Sequence, residues 1–169
     1  MQWPSVDYTG LDLLPAMALQ NQELVNSTIG RFGLRSARFA VHDMLQKALP
    51  PATLLLTKDT LIHFRNDDIQ RFLKLSVLAC PPRFRYVMFV HDMERRPGRR
   101  ANNWDIEERA NAYHYLNLSA PPFSVPGLVE VFHWHPSGRS SGDLGPLPHK
   151  TIQILRASDV GCMQTTKER

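Results

Sequence analysis

A pair of prolines, Pro81-Pro82, divides the chain into two parts of different character. Apolar residues before this pair have helical spacing, whereas the runs after it are rich in β-branched and aromatic residues. We therefore expect an α+β or α/β protein, with a mainly helical segment over residues 1–80 and a small mixed sheet within residues 81–169. A length of 169 residues suits one domain, so we expect a single domain over residues 1–169.

Three segments of the first half have the apolar spacing of helices. The first covers residues 11–30, although Pro15 interrupts it. Ser36 is a suitable cap for a second helix, and Asp59 for a third, whose inward-facing apolar residues run from Ile62 to Val77. This spacing is the basis for the expected helical character of the first half.

The overall composition excludes several classes of protein. Apolar residues make up 43% of the chain, which is enough for a hydrophobic core. No apolar run is as long as a membrane span, and two cysteines are too few for a disulfide framework. The first residues have no basic leader of the kind found in signal peptides. We therefore expect an intracellular, cytoplasmic protein that does not bind membranes.

Basic residues are concentrated in one segment of a chain whose net charge is +4. Four arginines lie close together, at Arg95, Arg96, Arg99 and Arg100, and Trp104 follows them. Such a cluster suits phosphate groups, with the indole stacking on a base, and it suits an acidic protein surface equally well. A solvated loop with no partner is the third alternative. We expect a protein partner or a larger assembly, with nucleic acid as an alternative partner.

A histidine pair follows the apolar run Leu128–Phe132, which reads as a β-strand. His133 and His135 are alternate residues of this strand, so their imidazoles share one face. Two imidazoles and a third ligand, for which Asp143 is available, can hold a zinc ion with one open position that activates water. The alternative is a pair of ordinary strand histidines, because short motifs also occur by chance.

The string His-Trp-His-Pro at 133–136, followed by Ser140 and Asp143, resembles the motif of the JAMM (MPN+/JAB) zinc hydrolases. Its local sequence is also similar to the RadC branch of that family. The resemblance implies that His133, His135 and Asp143 bind zinc and that Ser140 stabilises the oxyanion. It also implies a glutamate from an earlier strand as the general base, and isopeptide or peptide bonds as substrates.

Glu94 is the best candidate for that general base, because it follows the strand expected over residues 84–90. Glu107 and Glu108 lie on an expected short helix, and strand alternation places Glu130 on the face opposite the histidines. We therefore expect a JAMM-like zinc-dependent amide or isopeptide hydrolase, or a degenerate relative of one. The alternative is a non-catalytic interaction subunit that binds an acidic protein or nucleic acid through residues 95–100.

Overall fold

The computed structural model describes residues 6–95, 102–106, 113–134 and 149–160. The chain, which we expected to be a single domain, divides into two compact units, Met1–Leu49 and Pro50–Arg169. Both units contain helices and strands, and the strands pair in both parallel and antiparallel fashion. The expected α+β class is therefore confirmed.

The first unit is one β-α-β arrangement. Strand β1 (Asp7–Asp12) pairs in parallel with β2 (Ser36–Val41), and helix α1 (Pro15–Phe32) connects them. A parallel pair needs a crossover connection, which α1 supplies. Pro15 occupies the first turn, where its missing N–H leaves no helical hydrogen bond unmade. Gly33 ends the helix with φ of 63°, a left-handed conformation that glycine adopts without strain.

The helix that we expected after Ser36 is wrong, because residues 36–41 form β2. Parallel pairing with β1 satisfies the backbone groups of this segment, and Phe39 packs its ring 5.7 Å from that of Tyr8. A six-residue segment is too short for apolar spacing to separate helix from strand, so the pairing partner decides. The first half is consequently less helical than the sequence predicted.

The second unit is built around a four-stranded sheet of order β3-β4-β6-β5. Strands β3 and β4 are parallel, and β6 pairs antiparallel with both of its neighbours, β4 and β5. The histidine strand that the sequence predicted is β5. Helix α2 continues into one π-helical turn, Leu73–Val77. The elements in chain order are β3 (Ala52–Lys58), α2 (Asn66–Phe72), β4 (Phe84–Met93), β5 (Leu128–Trp134) and β6 (His149–Arg156).

The core of the second unit combines one face of this sheet with the helix and with loop residues. Val87 and Phe89 of β4 are buried, and Leu155 of β6 lies opposite Val87 in the register. Ile69 and Phe72 of α2 are fully buried as well. A core of this kind holds β4 and β6 in the centre of the sheet, where both of their edges are paired.

Two further observations concern the environment of the chain. Within the described residues, no helix combines the length and the apolar character that crossing a membrane requires. Cys80 takes part in a disulfide bond, which the small number of cysteines did not lead us to expect.

The first unit offers a matched pair of glycine substitutions. A Cβ atom at Gly10 would lie 2.2 Å from Phe39 Cε1, whereas one at Gly30 in α1 would meet nothing within 4 Å. We expect Gly10→Ala to lower the free energy of unfolding by about 1–3 kcal/mol, because the Phe39 ring must move. Gly30→Ala should raise it by about 0.5–1 kcal/mol, because alanine stabilises a helix relative to glycine.

Urea unfolding of the two variants beside the wild type measures both effects. If both substitutions shift the midpoint in the same direction, the close packing of Phe39 on Gly10 is not as described.

Candidate functional site

Three strands of the second unit end at the same edge of the sheet. Strands β3 and β4 are parallel, and β5 runs in the same direction because both it and β4 are antiparallel to β6. We call this the carboxyl edge: the end of the sheet where β3, β4 and β5 terminate and β6 begins. In open α/β sheets, ligands bind outside the carboxyl ends of the strands. The candidate site of the second unit therefore lies here.

Lys150, at the start of β6, binds two carboxylates at the carboxyl edge. Its Nζ lies 2.5 Å from Asp59 Oδ1 and 2.8 Å from Asp92 Oδ1. Asp59 directly follows β3, with a φ of 53°, and Asp92 is the register partner of Lys150 on β4. The ammonium group thus joins the ends of β3, β4 and β6.

The charges of this cluster change its acid–base properties. Burial alone would raise the pKa of the Asp59 carboxyl, but the ammonium groups of Lys150 and Lys58 outweigh it and lower that pKa. Burial would likewise lower the pKa of Lys150, but its hydrogen bonds and ion pairs with Asp59 and Asp92 raise it. Both charged forms are therefore favoured in the folded protein.

A β-bulge in β5 changes the face of the sheet on which the following side chains lie. Glu130 pairs with Gln153 and Phe132 with Ile152, so Val131 is an extra residue in β5. An extra residue reverses the alternation of side chains beyond it. His133 and Glu130 consequently lie on the same face, and His133 Nδ1 is 3.1 Å from Glu130 Oε1. The expectation that Glu130 lies opposite His133 is wrong, because simple alternation does not allow for a bulge.

Two more residues that the sequence analysis singled out, the candidate base Glu94 and the arginine Arg95, lie directly after β4. Glu94 is buried, and its backbone N–H donates to Asn102 Oδ1 at 2.8 Å, while Asn102 Nδ2 donates back to the Glu94 carbonyl. Arg95 donates its backbone N–H to Glu94 Oε1 at 3.0 Å and forms an ion pair with the other carboxylate oxygen of Glu130. A chain of contacts therefore leads from Glu94 through Arg95 and Glu130 to His133.

Trp104 is partly buried beside the buried His114. Its ring packs edge-on against His114, with the ring centroids 6.0 Å apart, and its carbonyl oxygen lies 2.6 Å from His114 Nδ1. Burial of His114 lowers the pKa of its imidazole, which favours a neutral ring. These contacts hold the Trp104 indole in place within the second unit.

The other predicted site residues, His135, Ser140, Asp143, Arg96, Arg99 and Arg100, lie outside the described residues. Within the part of the chain that is described, no three histidine, cysteine or acidic side chains are grouped closely enough to hold a metal ion. Of the predicted zinc ligands, only His133 has a described position, and its Nδ1 contacts Glu130.

Two aspartates of the first unit lie at the corresponding ends of their strands. Asp12 ends β1, and its Oδ1 accepts the N–H of Leu14 at 2.8 Å. Asp43 follows β2, and its Oδ1 accepts the N–H of Leu45 at 2.9 Å. In each case a carboxylate is held by the backbone amide two residues further on, which fixes its orientation.

The sequence analysis missed the acidic residues that recur at strand ends. One aspartate lies within two residues of the end of each of the first four strands. A search for acidic residues directly after β-branched and aliphatic runs would have found them. They are Asp12, Asp43, Asp59 and Asp92.

The comparisons with known proteins concern the fold. No protein-family model and no curated protein sequence matches the chain. The structure is similar to the mitomycin 7-O-methyltransferase MmcR, with a TM-score of 0.53 and 17% identity over 90% of this chain and 48% of that one. It is also similar to the pyocyanin biosynthetic protein PhzM, with a TM-score of 0.52 and 12% identity over 91% of this chain and 51% of that one.

A third similar structure is TehB from Haemophilus influenzae, with a TM-score of 0.50 and 9% identity over 89% of this chain and 49% of that one. The chain therefore shares its fold with these three structures. It spans about half the length of these three structures. Identities this low establish a shared fold and leave the activity to be argued from the chain's own residues.

This fold corrects two expectations. The prediction of a JAMM-like zinc hydrolase is wrong, since the chain shares its fold with the mitomycin 7-O-methyltransferase MmcR rather than with JAMM hydrolases. Zinc as the cofactor is wrong as well, and the described residues hold no metal-ligand group. The motif misled because a histidine pair on a strand is a local pattern, whereas long-range strand pairing decides the fold.

Two lysines that contact Asp59 test the ion pairs of the carboxyl edge. Lys150→Met should lower the free energy of unfolding at neutral pH by about 2 kcal/mol, because it leaves two partly buried carboxylates without their cation. Lys58→Met should change it by only about 0.5 kcal/mol, since the Lys58 side chain is 65% exposed.

The effect of Lys150→Met should depend on pH. The Asp59 carboxyl has a lowered pKa in the folded state, so its contribution to stability is complete above the ordinary carboxyl pKa and is lost as the pH falls. The difference between wild type and Lys150→Met should therefore shrink in acid, as measured by urea unfolding between neutral pH and about pH 3. A constant difference over this range would contradict the ion-pair explanation.

Proposed function

We propose that this chain is a methyltransferase-type domain that binds S-adenosylmethionine and takes part in methyl transfer. The observation that supports this most is the strand arrangement β3-β4-β6-β5 with β6 antiparallel. In this arrangement the chain is similar over nine-tenths of its length to a structure named as a 7-O-methyltransferase. The acidic residues at the strand ends are the second support.

The side chains at the ends of β1 and β2 fit the ribose of an adenosyl group. Ribose carries two neighbouring hydroxyl groups, and a carboxylate accepts hydrogen bonds through two oxygens. In dinucleotide-binding folds an acidic residue binds the ribose in this manner. Asp12 has one oxygen held by Leu14, which positions the second oxygen for a hydroxyl. Asp43 is held in the same way at the end of the neighbouring strand.

One feature of nucleotide-binding folds is different in this chain. Leu13 and Leu14 connect β1 to α1, so this turn has no glycine of the kind that brings a backbone close to a diphosphate. The close approach within β1 is made instead by Phe39, whose ring lies over Gly10. S-adenosylmethionine has no diphosphate, and its ribose hydroxyl and amino groups are donors to which a carboxylate can act as acceptor. The residues present therefore fit this cofactor at its ribose.

The acidic residues at the ends of β1 and β2 would bind the cofactor and position its ribose. When bound, S-adenosylmethionine supplies a methyl group on a positively charged sulfur. Asp12 would hold the ribose hydroxyls, and Asp43 adds negative charge at the same ends of β1 and β2, which favours a cationic ligand.

The arginine segment and the location of the chain stay predictions beside this proposal. We infer that residues 95–100 form a surface for an acidic protein, with nucleic acid as the alternative. Arg95 is engaged with Glu130 in the described structure, so the other arginines of the segment would carry most of that binding. The expected cytoplasmic location also stays a prediction.

A substitution at the end of β1 tests cofactor binding. Asp12→Asn should weaken the binding of S-adenosylhomocysteine by about 10–100-fold, the usual range for losing hydrogen bonds to a charged group. Asp7→Asn is the matched control, because Asp7 lies at the opposite end of the same strand and binds Arg35 and Ser36. It should leave the affinity within about two-fold of the wild type.

Isothermal titration calorimetry of the three proteins measures these affinities directly. The proposal fails if the wild-type chain binds no S-adenosylhomocysteine. The role of Asp12 fails if the two variants bind it equally well.

A further inference from the structure

The sheet of the second unit has two outer strands, and their free edges are protected to different degrees. Within the described residues, β3 pairs with β4 alone and β5 with β6 alone. The free edge of a strand presents backbone N–H and C=O groups to other chains, and proteins usually block it with charges, prolines or bulges. Strand β5 has the charged Glu130 and the bulge at Val131. Strand β3 has neither proline nor bulge, and its one charged residue is the last, Lys58.

The backbone groups of β3 alternate between its paired edge and its free edge. The N–H of Ala52 donates to the carbonyl oxygen of Arg83 at 3.0 Å, so Ala52 turns its backbone groups toward β4. In a parallel pair every second residue bonds to the neighbouring strand, and the residues between turn their N–H and C=O groups the other way. The register with β4 is regular along the whole of β3. Thr53, Leu55 and Thr57 therefore direct their backbone groups to the free edge.

The same strand is also exposed on one face of the sheet. Leu54 and Leu56 are 47% and 53% exposed, although both are apolar. Leu56 begins an apolar row that crosses all four strands through its register neighbours Met88, Ile154 and Val129. Val129, at the other end of this row, is 58% exposed. Strand β3 thus combines a free backbone edge with exposed apolar side chains, and exposed apolar patches mark interaction sites.

The sequence of β3 is complementary to itself. Its central segment, Thr53-Leu54-Leu55-Leu56-Thr57, reads the same in both directions. Two copies of such a strand can pair antiparallel about a two-fold axis that passes beside Leu55. Thr53 then faces Thr57 of the second copy, and Leu54 faces Leu56 of the second copy. Leu55 faces its own counterpart, so like side chains meet at every position of the segment.

The backbone and the charges of β3 fit the same register. The residues that direct their backbone groups to the free edge face one another in it, so each such pair exchanges two N–H···O bonds. Leu54 and Leu56 of both copies meet on the exposed face, where each covers the other. The two Lys58 side chains lie at opposite ends of the paired strands, about 20 Å apart. This separation exceeds the Debye length of about 8 Å at physiological salt, so the lysines do not oppose pairing.

We propose that β3 is an interaction surface for a second copy of this chain, and that two β3 strands pair antiparallel about Leu55 to join two four-stranded sheets into one. The dimer is closed, because each of these sheets contributes its one unprotected edge in the described structure. Main-chain hydrogen bonds supply most of the affinity when a strand is added to a sheet edge. We expect a dissociation constant in the micromolar range. This surface goes beyond the proposed function and does not depend on cofactor binding.

Analytical ultracentrifugation of the whole chain, between about 1 µM and about 1 mM, measures the dimer. Leu56→Lys should weaken dimerisation by about 100-fold. The symmetric dimer contains this substitution twice, and one unfavourable substitution at an interface commonly costs about ten-fold. Val129→Lys is the matched control, because Val129 is equally exposed in the same row but belongs to the other outer strand. It should leave the dissociation constant within about two-fold of the wild type.

A double variant tests the register of the two strands. In a chain that carries both Leu54→Glu and Leu56→Lys, each new carboxylate faces a new ammonium group of the second copy. Opposite charges on directly facing residues stabilise an antiparallel pair, so the double variant should regain a dissociation constant within about ten-fold of the wild type. A register that places each residue opposite its own counterpart at both positions would instead bring like charges together. Cooperative urea unfolding of every variant checks that it is folded.

Three results would overturn this inference. The first is a wild-type chain that is monomeric at about 1 mM, and the second is the formation of larger oligomers, which a closed two-fold pair does not allow. The third is equal dimerisation of Leu56→Lys and Val129→Lys, or a double variant that dimerises no better than Leu56→Lys alone. A dimer that is lost in Leu56→Lys and recovered in the double variant supports the pairing of β3, whatever the calorimetry with S-adenosylhomocysteine shows.

Discussion

Strand β6 determines what the carboxyl edge of the second unit contains. It is the last strand in the described chain, yet it pairs between β4 and β5 rather than beside β5 alone. Its antiparallel direction brings its first residues, and not its last, to the edge where the other strands end. Lys150 consequently meets Asp59 and Asp92, and Thr151 lies between two histidines. Without this insertion the edge would lose the one ammonium group that contacts both Asp59 and Asp92 in the described structure.

The ion pairs at this edge also depend on the local backbone conformation at Asp59. Asp59 has a positive φ directly after β3, a conformation that aspartate tolerates better than most residues. The turn directs its carboxylate to Lys150, which is itself only 21% exposed. Partly buried charges are costly unless they are paired, so β3, β4 and β6 are favoured in the one register that pairs them. The position of the site is thus linked to the stability of the sheet.

The β-bulge in β5 also determines which side chains lie together at the carboxyl edge. A regular strand would have placed Glu130 and His133 on opposite faces, as we expected from alternation. The extra residue, Val131, places the imidazole of His133 on the same face as Glu130 and as Thr151 of β6. The same histidine strand that resembles a zinc motif therefore presents one of its imidazoles to a carboxylate.

The amino-acid sequence by itself determined the class of the fold and the strands β4 and β5. Apolar runs of β-branched residues are local signals, and their meaning does not depend on a partner. Residues 36–41 show the limit, because pairing with β1 decides their structure. The order of the strands, the bulge and the meeting of Lys150 with Asp59 were decided by the tertiary structure alone. Each depends on contacts between residues far apart in the chain, and no local pattern records which strand will pair with which.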